Sequence, residues 1–582
     1  MLLSAPVRAE VTRKLHHLVA SSVILDFAEA ELLRYLEQIF GASDPNASSL
    51  PVLFTDELSD TTPLRFDGYR ITVLSGSVTI AAAQERGMLY GVYGLLRMLG
   101  CSFVFPGAER ERIPRLTHCT LPEGVTEQSP WIEFRGLCLY DTTAKTLPET
   151  LDAVDWMAKS SYNMLLTSIH RKDDTIGEVH AILWDEIGDE LFPQLQKRGI
   201  AVEMSEHSTD YFFPREKLFA QHPDWFALID GKRTAGQICY ANADAVQAYA
   251  HSYAEFAKKN HQLQWLGVWP LDGGDYCQCA ACRDPLTVLR SSMAVAAAVQ
   301  QVRPDLLVEH LAYTPQSFTR PEQPLPKNMT VLVCDANDHT AYEWGQRTKD
   351  GGGAFYFDYR TGDHYRFCAN LWINPFYCRE LVNTFAAYGY RGVVSLYLPV
   401  TSWWQSSLNY YYLARFYADP TATVEEVTHT LATELFGAAQ AAQMTDILMK
   451  IFTELQDQTL WSRQPFAPRH LKSDSAQRST ALDAAHHARF QEVTEQLERQ
   501  LDSVAFAESS PAAQSLDYLR AYVRLQELFY RCVDQYDNSR DTPARAEPFF
   551  EELAALAERY GAVFIHEEYA RWRIAGRDSL LK

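Results

Sequence analysis

Trp265-Leu-Gly-Val-Trp-Pro-Leu-Asp-Gly-Gly-Asp-Tyr-Cys-Gln-Cys-Ala-Ala-Cys282 is the stretch on which the fold turns. Its opening run, Trp265 to Trp269, is apolar and short, as a buried strand is. Pro270 stops the run, and Asp272, Gly273, Gly274 and Asp275 follow as a loosened turn carrying two acids. Acids just past a buried strand stand where an α/β barrel keeps its chemistry, at the carboxyl ends of its strands. Glycines there admit positive φ or close approach of the backbone to a ligand. An Asp-Gly turn is also the ordinary solvated link between strand and helix, so the rest of the chain must decide.

Outward from this stretch the pattern is strand, helix, strand, repeated, which argues for a parallel sheet with crossover helices. The strands are expected at Phe134–Tyr140, Asn163–Ile169, Ile200–Met204, Trp265–Trp269, Leu306–Leu311, Thr330–Cys334, Ala354–Phe357 and Gly392–Leu396. Helices are expected at Asp244–Lys259, with Tyr249, Tyr253 and Phe256 on one face, and at Arg379–Tyr388. Eight strands over about 270 residues fit a (β/α)8 TIM-type barrel, although two crossovers lack a convincing helix. Before it, residues 1–125 read as an α/β support domain, with strands at Val23–Phe27 and Tyr69–Leu74. Helices are expected there at Glu29–Phe40 and Gly87–Gly100. Gly91 and Gly94 would let the second helix approach its neighbour closely. After the barrel (126–408), residues 409–582 read as amphipathic helices with Pro/Ser/Asp-rich joints.

The chain has 582 residues and a formal net charge of −21, from 53 basic and 74 acidic side chains. Such a surface repels phosphate backbones and anionic membranes, so neither nucleic acid nor membrane is an expected partner. No run approaches a membrane span. Residues 1–27 carry scattered charges and no apolar signal core, so reduced thiols in the cytoplasm are the expectation, unless a signal peptide has been trimmed. Aromatic residues make up 12% of the chain. Aromatic faces pack on the C–H faces of sugars, and they also fill ordinary cores.

Two segments carry a resemblance. Gly87-Met-Leu-Tyr-Gly-Val-Tyr-Gly-Leu-Leu and Gly100-Cys-Ser-Phe-Val-Phe-Pro-Gly107 resemble the end of the α/β domain that precedes the barrel in β-hexosaminidases and α-glucuronidases. A composite motif runs from His222-Pro-Asp-Trp-Phe-Ala-Leu-Ile-Asp-Gly-Lys-Arg233 through Gln237-Ile-Cys239 and Asn242 to Asp272–Cys282. It resembles the bacterial family called domain of unknown function 4838, which includes the endo-β-N-acetylglucosaminidases of glycoside hydrolase family 163. The likeness covers most of residues 20–420. It implies a barrel glycosidase acting on a glycan, with retention assisted by the acetamido group of the substrate.

Glycoside hydrolysis needs a protonated carboxyl near the leaving oxygen and a second group facing the developing oxocarbenium; in substrate-assisted enzymes that second group orients the acetamide. Asp272 and Asp275 come first as catalytic candidates, then Glu309 and Asp358 near strand ends. The related hexosaminidases place Asp-Glu after the fourth strand, where this chain has Asp-Gly-Gly-Asp. Arg135 and Asp141 bracket the first strand; the arginine would either grip sugar hydroxyls or lock the barrel floor. His170, Glu206 and His207 end the second and third strands. Trp269, Tyr313, Tyr359, Trp403 and Trp404 are candidate sugar platforms, the last two in a loop after the final strand. Cys239, Cys277, Cys279 and Cys282 offer four soft ligands for a structural zinc; reduced thiols shaping the loop, or disulfides in an exported protein, are the other readings. No catalytic cofactor is expected. The leading expectation is a hydrolase of β-linked N-acetylhexosamine. Next stand an α-glucuronidase-like enzyme using Arg135, Arg171 and Arg360, and an inactive carbohydrate-binding protein.

Overall fold

The computed structural model describes residues 1–19, 22–41, 48–58, 63–74, 76–139, 142, 146–167, 184–272, 275–319, 324–334, 338–359, 361, 373–396, 403–455, 484–538, 547–560 and 563. Strand β1 (Leu2–Ser4) pairs antiparallel with β6 (His118–Thr120). A mixed sheet in the order β2-β3-β5-β4-β7 is built from β2 (Val7–Lys14), β3 (Ser48–Thr55), β4 (Tyr69–Leu74), β5 (Ser77–Ala82) and β7 (Gly124–Gln128). In β2, buried Val7 and Ala9 alternate with exposed Arg8 and Glu10, so one face meets the core.

Val23–Phe27 is not a strand. It opens helix α1 (Val23–Phe40), where the Ser22 hydroxyl caps the first turn by accepting from the Ile24 amide at 3.2 Å. Leu25, Ala28, Leu32, Leu36 and Ile39 are buried, so the helix starts at Val23 rather than at the expected Glu29. Helix α2 (Glu85–Met98) lies close on the sheet. A Cβ at Gly91 would stand 2.4 Å from Ile80 Cγ2, and one at Gly94 2.6 Å from the Tyr69 hydroxyl. Both glycines are needed for that approach.

Eight parallel strands close a barrel in the order β10-β13-β14-β15-β16-β17-β8-β9. They are β8 (Phe134–Leu139), β9 (Met164–Thr167), β10 (Ala201–Met204), β13 (Trp265–Val268), β14 (Leu307–Ala312), β15 (Met329–Cys334), β16 (Ala354–Asp358) and β17 (Gly392–Leu396). Almost every residue in them is buried, as parallel strands covered on both faces require. Helices Leu147–Lys159, Trp184–Gln196, Ala243–Lys259, Thr287–Val302, Asp338–Thr348 and Pro375–Ala387 fill the crossovers; among the described residues, none lies between β14 and β15. Between β10 and β13 a hairpin interrupts the alternation, β11 (Phe226–Ile229) and β12 (Lys232–Ile238). Asp230 (φ 48°) and Gly231 (φ 80°) turn it, the pair of positive φ angles that a tight two-residue hairpin demands.

The N-terminal sheet and the barrel belong to one packed unit, Met1–Cys101, Arg112–Asp358 and Val382–Ser395, so the expected boundary at 125 falls inside it. A buried ionic cluster joins the two. Asp67 accepts two bonds from Arg135 Nη2 (both 2.7 Å), one from Arg86 (2.8 Å) and one from Asn163 (2.8 Å). The second unit comprises Ser102–Glu111, Tyr359–Leu381 and Leu396–Lys582. Its helices are Trp403–Ala418, Val424–Phe436, Ala441–Lys450 (extended by a π-turn), Ala484–Asp502, Pro511–Asn538 and Glu547–Tyr560. No described helix is long and apolar enough to cross a membrane.

Candidate functional site

Arg135 is the second residue of β8, so it sits at the amino-terminal floor of the barrel. Its guanidinium also donates to the carbonyls of Ser161, Ile132 and Glu133 (2.8–3.0 Å), and 1% of the residue is exposed. Every donor direction is occupied. Of the two roles open in the sequence, the floor lock is the one observed, and sugar binding by Arg135 is set aside. Burial opposes the Asp67 charge, but the Arg135 and Arg86 charges win and hold its carboxyl below the usual range.

The carboxyl ends of the strands carry a different set of groups. Glu206 and His207 follow β10; Trp269, Pro270 and Asp272 follow β13, its neighbour in the barrel. His207 Nδ1 meets the Pro270 carbonyl at 2.5 Å, so Nδ1 carries a proton and donates it, which leaves Nε2 as the other ring nitrogen. The His207 ring lies 5.3 Å from Trp269 and 6.0 Å from Tyr313, beyond β14. Three of the expected rim residues therefore form one patch. Asp358 ends β16, fully buried, and accepts from Ser395 at 2.8 Å. In strand order β16 stands diametrically opposite β10. Tyr359, next in the chain, is half-buried, and Asp272 and Asp275 are both exposed.

Glu309 lies in the middle of β14, fully buried, with its Oε1 taken by the Trp269 indole N–H at 3.2 Å. It is inside the barrel rather than at its mouth, so the place expected for it as a catalytic acid is corrected. Its partner is Glu203, a residue absent from the sequence-based candidates. Glu203 on β10 is equally buried, and its Oε1 accepts from the Ser205 hydroxyl. Glu203 Oε2 and Glu309 Oε2 have no hydrogen-bond partner, and the Glu203 charge acts on Glu309. Two carboxylates cannot both ionise there, so they share a proton. Burial and then the Glu203 charge push Glu309 well above the usual range, so Glu309 holds it. The strand makes room with Gly267, where a Cβ would fall 2.1 Å from Ser205 Oγ and 2.8 Å from Trp269 Nε1.

Three further residues fix the loop that carries Asp272. Gln237, fully buried at the end of β12, donates to the Leu271 carbonyl (2.8 Å) and accepts from the Leu271 amide (3.3 Å) and Tyr240 (3.0 Å). Tyr276 accepts from Thr314 Oγ1 at 3.0 Å. Burial raises its phenol, and the Asp272 charge adds to the rise. His310 supports the other side of that contact: Nε2 meets the Ser317 carbonyl (3.0 Å), and Ser317 Oγ caps the amides of Tyr313 and Thr314 (3.0 Å each). The motif stretch Gln237-Ile-Cys239 did point to one of these residues. Tyr276 and Glu203 had only the weaker signal of a polar side chain inside an apolar or cysteine-rich run.

Trp403 and Trp404 are not in a loop. They open the helix Trp403–Ala418, within the second unit. Trp404 is 1% exposed and packs near Phe105 and Tyr522, while Trp403 meets Phe105, Tyr518 and the Arg110 guanidinium. Both rings are engaged by their own unit, which removes them as sugar platforms. Asp141, His170, Arg171 and Arg360 lie outside the described residues. The four cysteines do converge: Cys239 Sγ lies 3.6 Å from Cys277, 3.8 Å from Cys279 and 3.7 Å from Cys282.

Residues 105–350 match the model of the domain of unknown function DUF4838. No curated protein matches the chain. Among solved structures, the chain is similar to a family GH115 4-O-methyl-α-glucuronidase specific for decorated arabinogalactans, at 12% identity and TM-score 0.66, over 96% of this chain and 77% of the other. It is also similar to a GH138 enzyme targeting pectin rhamnogalacturonan II (13%, TM-score 0.55, 96% and 75%). A third is a family 89 glycoside hydrolase from Clostridium perfringens, solved with GlcNAc-α-1,4-galactose (12%, TM-score 0.57, 92% and 65%). The structural neighbours are thus glycoside hydrolases built on the same barrel.

Proposed function

We propose that this chain, with its DUF4838 domain over residues 105–350, is a glycoside hydrolase working at the carboxyl-terminal rim of its barrel. One observation carries the reading. Asp272, two residues past the Pro270 carbonyl that meets His207, shares its rim with the His207–Trp269–Tyr313 patch, and Asp358 stands on a strand across the mouth. An acid, a hydrogen-bonding ring and aromatic faces are what a glycosidic bond needs around it.

In this reading Asp272 is the general acid that protonates the leaving oxygen. Asp358 faces the opposite side of the sugar ring and orients the acetamide that attacks the anomeric carbon. Attack forms a bond from the carbonyl oxygen as the C–O bond to the leaving group breaks; water then opens the ring so formed, with Asp272 taking its proton. Glu309 and Glu203 act through Trp269 and are positioning residues.

The substrate proposed is a neutral 2-acetamido sugar. Among the described residues that directly follow the strand ends, none is lysine or arginine, whereas Glu206, Asp272 and Asp358 are acids. A uronate would meet like charges there. The α-glucuronidase reading draws on the likeness to the GH115 enzyme and would need Arg171 or Arg360 to supply the cation.

Hydrolysis of aryl β-N-acetylglucosaminides against aryl α-glucuronides separates the two. Turnover of the first alone is expected; turnover of the second alone overturns the substrate, and binding without turnover overturns the hydrolase. Asp272→Asn should lower kcat/KM by about 10²- to 10⁴-fold on a poor leaving group. Dinitrophenyl substrates, which leave without protonation, should be affected far less. Equal losses on both would remove Asp272 as the acid.

A further inference from the structure

Four thiols meet beneath the loop that carries Asp272. Cys239 closes the β11–β12 hairpin, whereas Cys277, Cys279 and Cys282 come from the loop after β13, some 40 residues further on. All four Sγ atoms lie within 4.8 Å of one another, with separations from Cys239 between 3.6 and 3.8 Å. A disulfide would draw one pair to about 2 Å and leave the others outside. A tetrahedral Zn²⁺ with Zn–S bonds of about 2.3 Å sets each S···S edge at about 3.8 Å, for all pairs at once. The three separations from Cys239 match the second spacing, and no pair is further apart than 4.8 Å.

The surroundings agree with a tetrathiolate centre. The Leu228 amide donates to Cys277 Sγ at 3.3 Å, and Arg233 Nη1 lies 3.9 Å from the same sulfur. Backbone N–H donors and a guanidinium offset the negative charge that four thiolates leave on a divalent ion. Around the cluster, Ala227, Leu228 and Ile229 form a small apolar shell, and Cys239 and Cys277 are buried. Among the described residues of the loop, the 3-10 turn Ala281–Arg283 is the one element of regular structure.

We propose that Cys239, Cys277, Cys279 and Cys282 bind one structural Zn²⁺ that staples the hairpin to the β13 loop. The ion has four protein ligands and no open position, so it supplies no chemistry of its own. Its effect reaches the rim through two short paths, from Cys239 to Gln237 and Leu271, and from Cys277 to Tyr276. The metal claim stands apart from the glycosidase reading; only the effect on catalysis rests on it.

The test is metal analysis of the full chain, purified under reducing conditions without chelator. About one zinc per chain is expected. Exchange with Co²⁺ should give the thiolate-to-cobalt charge transfer and intense visible bands of a tetrahedral tetrathiolate site. Cys279→Ser with Cys282→Ser should lose both the metal and those bands. Wild-type protein without bound metal and without the cobalt spectrum overturns the site, whether or not the variant folds. Mass-spectrometric detection of disulfides among the four cysteines overturns it too. If zinc is bound but no glycoside is cleaved, the metal site stands and the proposed activity falls.

Discussion

The two ends of the barrel treat charge in opposite ways. At the floor, Asp67 meets Arg135, Arg86 and Asn163, and Arg391 meets Glu133 (2.6 and 3.1 Å), so each charge is answered by an opposite one. Toward the mouth the acids accumulate: Glu206, Asp272 and Asp358 at the rim, and Glu203 and Glu309 below it. Pairing at the floor fixes the barrel on the N-terminal sheet. Below the mouth, burial and the charge of Glu203 hold Glu309 well above the usual carboxyl range.

If that division is right, damage to the floor should cost stability and spare catalysis. Asp67→Ala leaves Arg135 buried without its carboxylate and should destabilise by about 3–5 kcal/mol in denaturant unfolding. The kcat of the folded fraction should stay unchanged. Because the Asp67 carboxyl is depressed in the fold, its contribution is present above the unfolded pKa and lost as pH falls through the folded one. The variant should therefore show a shallower acid limb. A fall in kcat with normal stability would erase the contrast.

The interior pair should behave with the opposite sign. Glu309 is raised by burial and by the Glu203 charge, so the folded chain keeps a proton that the unfolded chain releases above about pH 4. Stability is then lost as pH rises from there toward the folded pKa. Glu309→Gln, whose amide can still donate to Glu203, should equal wild type near pH 4 and become increasingly more stable than it as pH rises. Glu309→Leu leaves the Trp269 N–H without its acceptor and Glu203 with only the Ser205 hydroxyl, and should be the less stable variant at every pH. A pH-independent gap between Gln and wild type would rule out the shared proton.

The smallest effect is expected at the clamp. Gln237→Ala removes the two bonds to Leu271 and should lower kcat by about tenfold, or about 1.4 kcal/mol, as the Asp272 loop drifts. A change in KM alone would mean that Gln237 acts on binding instead.

The barrel was legible because its strands are covered on both faces and read as short apolar runs between helices. The N-terminal sheet was harder. In Val7–Lys14 the alternation is present but hidden among charges, and Val23–Phe27 has strand-like composition while obeying a helical period. For the site, position along a strand mattered more than residue type. Arg135 at the start of β8 belongs to the floor, whereas Trp269 and Asp272 past the end of β13 belong to the rim. Glu203 escaped because its partner is about a hundred residues away, and no local spacing joins the two. Trp403 and Trp404 misled because an aromatic pair after the last strand looks the same in sequence whether it awaits a ligand or fills a helix interface.

A crystal structure of the Asp272→Asn variant with an aryl β-N-acetylglucosaminide would test the site most directly. The sugar should lie against Trp269, Tyr313 and His207, with the side chain of residue 272 within hydrogen-bond distance of the glycosidic oxygen. A sugar bound away from that rim, or with residue 272 out of reach of that oxygen, would contradict it.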